Sequence, residues 1–140
     1  MKLLALDHGR ARTGVAVTDP TGTLARPLPA IARVDSHVGM RALIEVIARE
    51  KPERIIVGEP RLMSGDRGAQ ARAAAGFADR VRGRFGIPVE LVDERLSTRE
   101  ASRRLAESGS RKRGGPDLDS VAACILLEAF LRQSRDSAIA

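Results

Sequence analysis

The sequence predicts an α/β fold: a mixed five-stranded sheet with helices on both faces. Three observations carry this expectation. The chain opens with three strand-like segments, its second half alternates short apolar runs with amphipathic ones, and the run Ile55-Ile56-Val57 is continuously apolar, as in a central strand covered on both sides. The length of 140 residues, with 43% hydrophobic and 30% charged residues, suits one domain, residues 1–140, built on a full apolar core.

The first strand is the apolar run Lys2 to Leu6, closed by Asp7. A turn, His8-Gly9-Arg10-Ala11-Arg12, leads to a second, β-branched strand from Thr13 to Thr18. The third, Thr23 to Ile31, carries Pro27 and Pro29, so it belongs at a sheet edge, where missing N–H donors are tolerated. From Asp35 the period changes, and Met40, Leu43, Ile44 and Ile47 mark one face of a helix that Lys51-Pro52 stops. Arg54 to Gly58 reads as a central strand ending at Glu59-Pro60, followed by a polar loop from Arg61 to Gly68. Ala69, Ala73, Phe77 and Val81 recur every four residues in the next helix, which Gly86 and Pro88 terminate. A strand from Pro88 to Val92 ends at Asp93-Glu94, and Ser97 with Glu100 forms a capping box for a helix to about Ala106. After the loop Ser108 to Pro116, the segment Asp117 to Leu131 is apolar almost all round at first, so this last helix must be buried.

Composition narrows the function. No run of about 20 apolar residues is present, which argues against a membrane helix, and Asp7 interrupts the opening MKLLAL before it can act as an export signal. The lone Cys124 suits a reducing, cytoplasmic setting and reads as a small buried hydrophobe. The 24 Lys plus Arg outnumber 18 Asp plus Glu, for a formal charge of +6 that favours a polyanionic partner such as nucleic acid. Nearly all these cations are arginine, which can grip phosphate in two places but can equally reflect genome base composition. The segment Gly9 to Gly14 lacks the Lys-Ser or Lys-Thr of a phosphate loop. His8 and His37 have no metal-ligand spacing, so His8 reads as a turn residue beside the site. Ser64, Ser97 and Thr98 lack an evident histidine partner for covalent catalysis.

Three carboxylates stand at element ends: Asp7 after the first strand, Glu94 after the last, and Asp119 in the first turn of the final helix. Each alone also reads as a turn former, a solvated strand end or a helix-dipole partner. Brought to about 4 Å, two such charges repel by roughly 4 kcal/mol at an effective dielectric near 20, so a cluster needs a proton or a cation. Oxygen donors favour Mg²⁺ or Mn²⁺, and such ions support phosphodiester hydrolysis by activating water and stabilising the leaving oxygen.

The segments LALDHGRARTGVAVTDP, at residues 4–20, and VDERLST, at residues 92–98, resemble the motifs of the YqgF (RuvX-type) family. Ile55-Ile56-Val57-Gly58, a Pro-containing loop ending near Gly65, and Asp119-Ser120-Val121-Ala122-Ala123 follow in that family's order, so the likeness spans essentially the whole chain. The resemblance implies an RNase H-like fold related to Holliday-junction resolvases, and a nuclease that processes the 5′ end of precursor 16S ribosomal RNA. It aligns Asp7, Glu94 and Asp119 with the family's acidic positions, Arg12 and Arg95 with arginines near phosphate, and Gly9 and Gly14 with its turn glycines. One departure is Glu59, where the family usually has an apolar residue: it reads either as a loop charge, the preferred reading, or as a ligand that supplements or replaces Glu94.

Arg111-Lys112-Arg113, with Arg103 and Arg104 before them, read as a phosphate-binding edge or as a solvated loop. With three Phe and no Trp or Tyr, base stacking has little material, so backbone or shape recognition is expected. Three readings compete with pre-rRNA processing: a resolvase-like DNA nuclease acting on branched or single-stranded DNA, a non-catalytic RNA-binding factor on pre-ribosomal particles, and an actin-like ATPase. The ATPase fits poorly, because such enzymes bind ATP between two domains of this kind. RNA against DNA, exonuclease against endonuclease, and monomer against homodimer stay open.

Overall fold

The computed structural model describes residues 1–60, 68–95 and 118–139. Strands β1 (Leu3–Asp7), β2 (Arg12–Thr18) and β3 (Ala25–Ala32) form an antiparallel meander. β4 (Arg54–Glu59) pairs in parallel with β1, and β5 (Val89–Asp93) in parallel with β4. The sheet therefore has the order β3-β2-β1-β4-β5 and is mixed and five-stranded, as expected. β1 lies at its centre because Leu3, Leu4, Ala5 and Leu6 are apolar on both faces, and all four are buried. β3 takes the edge, where Pro27 and Pro29 remove no donor that an inner strand would need.

Alternation along the strands builds two separate cores. Leu4, Leu6, Val15, Val17, Ile55 and Val57 pack on one face against α1 (His37–Glu50) and α2 (Ala69–Phe85). Leu3, Ala5, Ala16, Ile56 and Val92 face the other way, against α3 (Leu118–Ile139). Helices thus cover both sheet faces.

Both buried stripes on the first face differ from the expected ones. α1 buries Gly39, Leu43, Val46 and Ile47, leaving Met40 and Ile44 at the flank. Its first turn is pressed onto the chain at Arg33-Val34, where a Cβ on residue 39 would collide with the Arg33 carbonyl, so the glycine sets the rotation. The N-cap is Ser36, whose Oγ accepts from the Gly39 N–H at 3.1 Å. α2 buries Ala71, Ala74, Phe77, Ala78 and Val81, whereas Ala69 and Ala73 are exposed. A spacing of three and four follows the helical repeat, which a strict spacing of four leaves behind within two turns.

α3 continues to Ile139, beyond the expected end at Leu131. Cys124 is buried there, with Sγ 3.6 Å from Glu128 Oε1. Ser120 clamps this helix to the sheet: fully buried, its Oγ donates to the Leu28 carbonyl and accepts from the Val15 N–H at 3.2 Å. The expected helix at 97–106 and the basic loop at 108–116 lie outside the described residues.

Candidate active site

β1 ends at Asp7, which shares the alternation of Leu3 and Ala5 and therefore points to the α3 face. Two strands away, β5 ends at Asp93, and the Glu94 N–H continues the parallel ladder onto the Glu59 carbonyl at 3.1 Å. The Glu94 side chain then lies across Gly58, where any Cβ would collide with its carboxyl. Gly58 shares the α3 face with Ile56, so its bare Cα leaves the room through which Glu94 reaches Asp7.

The two carboxyl groups are joined by a hydrogen bond. Burial, then that hydrogen bond, then the charges of Asp7 and Asp93 push the Glu94 carboxyl from 4.5 up to about 9. The buried Glu94 carboxyl is therefore held well above the usual carboxylate range by its surroundings and by the acid beside it. Buried carboxylates in contact share a proton when no cation offsets their charge, so the pair has the chemistry of a hard-cation site.

Asp119 comes from the first turn of α3, and its main-chain carbonyl occupies the space that a Cβ on Gly14 would fill. Gly14 is the register partner of Asp7, so the helix start descends one strand from the carboxyl pair. The Asp119 carboxylate is half exposed and lies 3.8 Å from Arg12 Nε. Asp7 and Glu94 are thus brought together, with Asp119 on the adjoining strand and turned toward Arg12. Among the described residues no group of three or more His, Cys, Asp or Glu side chains converges closely enough to hold a metal ion.

The strand register separates Glu59 from this pair. Glu59 is buried and shares the alternation of Ile55 and Val57, which face α1 and α2. His8 lies in the turn after β1, as expected, but its side chain turns away from the site. Following Asp7, it points to the opposite face, where its ring stacks on Phe77 at 4.6 Å and Nε2 lies 3.0 Å from Asp35 Oδ2.

Arg95 folds back on Asp93, with Nε and Nη2 at 2.9 and 2.7 Å from Oδ2. Both described arginines expected at phosphate, Arg12 and Arg95, therefore meet carboxylates. Arg103, Arg104, Arg111, Lys112 and Arg113 lie outside the described residues. Sequence reasoning passed over the separate tasks of Gly58 and Ser120. A glycine inside a β-branched run and a lone hydroxyl in an apolar helix were the available signals.

An acidic pair at the carboxyl ends of β1 and β5, with a helix N-terminus above the neighbouring strand, defines an α/β protein of the RNase H-like class. Two solved structures share that fold. Thermus thermophilus RuvC in complex with a Holliday junction substrate matches with a TM-score of 0.60 at 18% identity, covering 96% of each chain. The Fowlpox virus resolvase in complex with substrate Holliday junction DNA also gives 0.60, at 13% identity over 96% of this chain and 99% of that one.

The family model described as "RuvX: Holliday junction resolvase" matches residues 1–133, and the chain belongs to this family. A relative from Moorella thermoacetica is 39% identical over 132 residues, 94% of each chain, and carries the name "Putative pre-16S rRNA nuclease". One of the same name from Escherichia coli O157:H7 is 41% identical over 132 residues, 94% of this chain and 96% of its own.

Proposed function

We propose that this chain is a cytoplasmic, divalent-metal-dependent nuclease that hydrolyses phosphodiester bonds at the 5′ end of precursor 16S ribosomal RNA. The observation that carries the reading is the Asp7–Glu94 pair, two carboxyl groups brought beside each other at the strand ends, where burial and the neighbouring acid make a second charge costly. The names borne by full-length relatives at about 40% identity support the substrate.

Asp7, Glu94 and Asp119 would hold Mg²⁺ or Mn²⁺, which supplies an activated water and charge stabilisation at the leaving oxygen. Glu94 must release its proton to take that role. Asp7 stands at the end of the central strand, with Glu94 reaching it across Gly58 and Asp119 supplied from the neighbouring helix start. Arg12 and Arg95, at the two sides of the pair, would meet the phosphate backbone, and Arg103, Arg104, Arg111, Lys112 and Arg113 would extend that contact.

Asp7→Asn tests the reading. With Mg²⁺ or Mn²⁺ present, purified Asp7→Asn should lose cleavage of a precursor 16S 5′ leader by more than the roughly 100-fold typical of losing an outer partner of a metal ligand. Retained cleavage in folded mutant protein would reject it. A four-way DNA junction assayed in parallel separates the resolvase reading. The +6 charge favours one further reading, an RNA-binding assembly factor, which predicts salt-sensitive RNA binding without metal-stimulated cleavage.

A further inference from the structure

Behind Asp7, on the opposite face of the sheet, lies a polar cluster that the acidic site does not use. The His8 side chain is only 7% exposed, stacks on the fully buried Phe77 of α2, and directs Nε2 to Asp35 at 3.0 Å. Arg80, one turn beyond Phe77 on α2, binds the other oxygen of Asp35. Asp35 is itself held, because it lies between Arg33, whose N–H reaches the Ala11 carbonyl at 2.9 Å, and Ser36, the N-cap of α1. The turn after Asp7 is therefore tied to both helices of the first face. It is also closed tightly on itself, since a Cβ at Gly9 would collide with the Arg12 carbonyl.

His8 follows directly on the last residue of β1 and its ring lies on the face opposite Asp7, so the directions of the two side chains are set by the same short piece of backbone. If the His8 ring leaves Phe77, that backbone is released to rotate and Asp7 swings away from Glu94. We propose that His8, held by Asp35 and Arg80 and stacked on Phe77, is a positioning residue that fixes the Asp7 carboxylate from behind the sheet. The proposal rests on the reading of Asp7 and Glu94 as ligands of a divalent cation.

The test is Mn²⁺ titration of the full chain by calorimetry or electron paramagnetic resonance, with thermal melts to verify folding. His8→Ala and Asp35→Ala should each bind Mn²⁺ about tenfold more weakly, as expected for loss of an outer partner. Asp35 is half exposed, so Asp35→Ala carries the test should His8→Ala fail to fold. Asp35→Asn keeps one acceptor oxygen for His8 Nε2–H while giving up the Arg80 contact, and should bind Mn²⁺ more tightly than Asp35→Ala. Val81→Ala, a cavity variant on the same helix, should lower the melting temperature without changing Mn²⁺ affinity in the folded protein, which separates positioning from mere stability. Folded Asp35→Ala with wild-type Mn²⁺ affinity, or Asp35→Asn no better than Asp35→Ala, overturns the inference. Wild type and Asp7→Asn binding Mn²⁺ equally would instead overturn the ligand reading, and the inference with it.

Discussion

Glu94→Gln removes the one ionisation that the site makes costly while keeping a hydrogen-bond donor for Asp7. In the folded protein Glu94 holds its proton up to about 9, against an ordinary 4.5, through burial first and its contact with Asp7 second. A carboxyl whose folded value is raised binds its proton more tightly folded than unfolded. Its contribution to stability is fully present below about 4.5 and is lost as pH rises toward about 9. At about 1.4 kcal/mol per pH unit, the limit across that window is about 6 kcal/mol. Rearrangement of the ionised pair toward solvent reduces this, and a loss of about 2–3 kcal/mol between pH 5 and 8.5 is the expected wild-type signal. The assay is urea denaturation in EDTA, comparing wild type and Glu94→Gln at each pH so that all other titrating groups cancel. The variant should gain on the wild type steadily with pH, and Mn²⁺ at pH 8 should rescue the wild type alone. A stability difference independent of pH would refute the coupling between Glu94 and Asp7.

Three further outcomes follow from neighbouring features. Ser120→Ala strips a buried donor from the Leu28 carbonyl and an acceptor from the Val15 N–H, and should cost about 2–4 kcal/mol in chemical denaturation; a near-neutral change would remove the clamp from α3. Gly58→Ala drives a methyl group into the Glu94 carboxyl, so it should weaken Mn²⁺ binding about tenfold or more and flatten the pH dependence just described; wild-type affinity would show that Glu94 does not need the gap. Asp19 is held down to about 2, first by the Thr21 hydroxyl and then by the Leu24 and Thr23 N–H groups. The order it lends that turn is present above about 3.8 and lost as pH falls through about 2, so the Thr23 and Leu24 amide resonances should titrate near 2, and a midpoint near 4 would refute the contacts.

The strand order was legible because each strand carries its own constraint in its side chains. Leu3 to Leu6 and Ile55 to Val57 are apolar on consecutive residues and can lie only at the centre, while Pro27 and Pro29 can lie only at an edge. Helix rotation was less legible. In α2 many alanines offer nearly equivalent stripes, and the stripe is chosen by Phe77 and Val81 fitting the β4 and β5 surface, a tertiary contact that no local spacing encodes. In α1 a glycine decides the contact, and hydrophobic periodicity gives glycine no weight.

The acidic site shows the same division between what alternation can and cannot tell. Counting from Asp7 through Leu6 and Ala5 assigns Asp7 to the α3 face once the two cores are known, and the same count through Val57 and Ile55 sends Glu59 to the other. Counting from Val92 sends Glu94 to the α3 face as well, but the count does not say that its carboxyl crosses β4 to reach Asp7. Its position comes from two backbone facts: its N–H pairs with the Glu59 carbonyl, and the residue beneath its side chain is Gly58. Gly58 and Glu59 therefore act as a unit in which the glycine opens the path to Asp7 and the main chain of Glu59 holds Glu94 at its entrance. The glutamate that competes for the ligand role in the sequence serves the site through its carbonyl, and its neighbour's missing side chain admits the carboxyl that reaches Asp7.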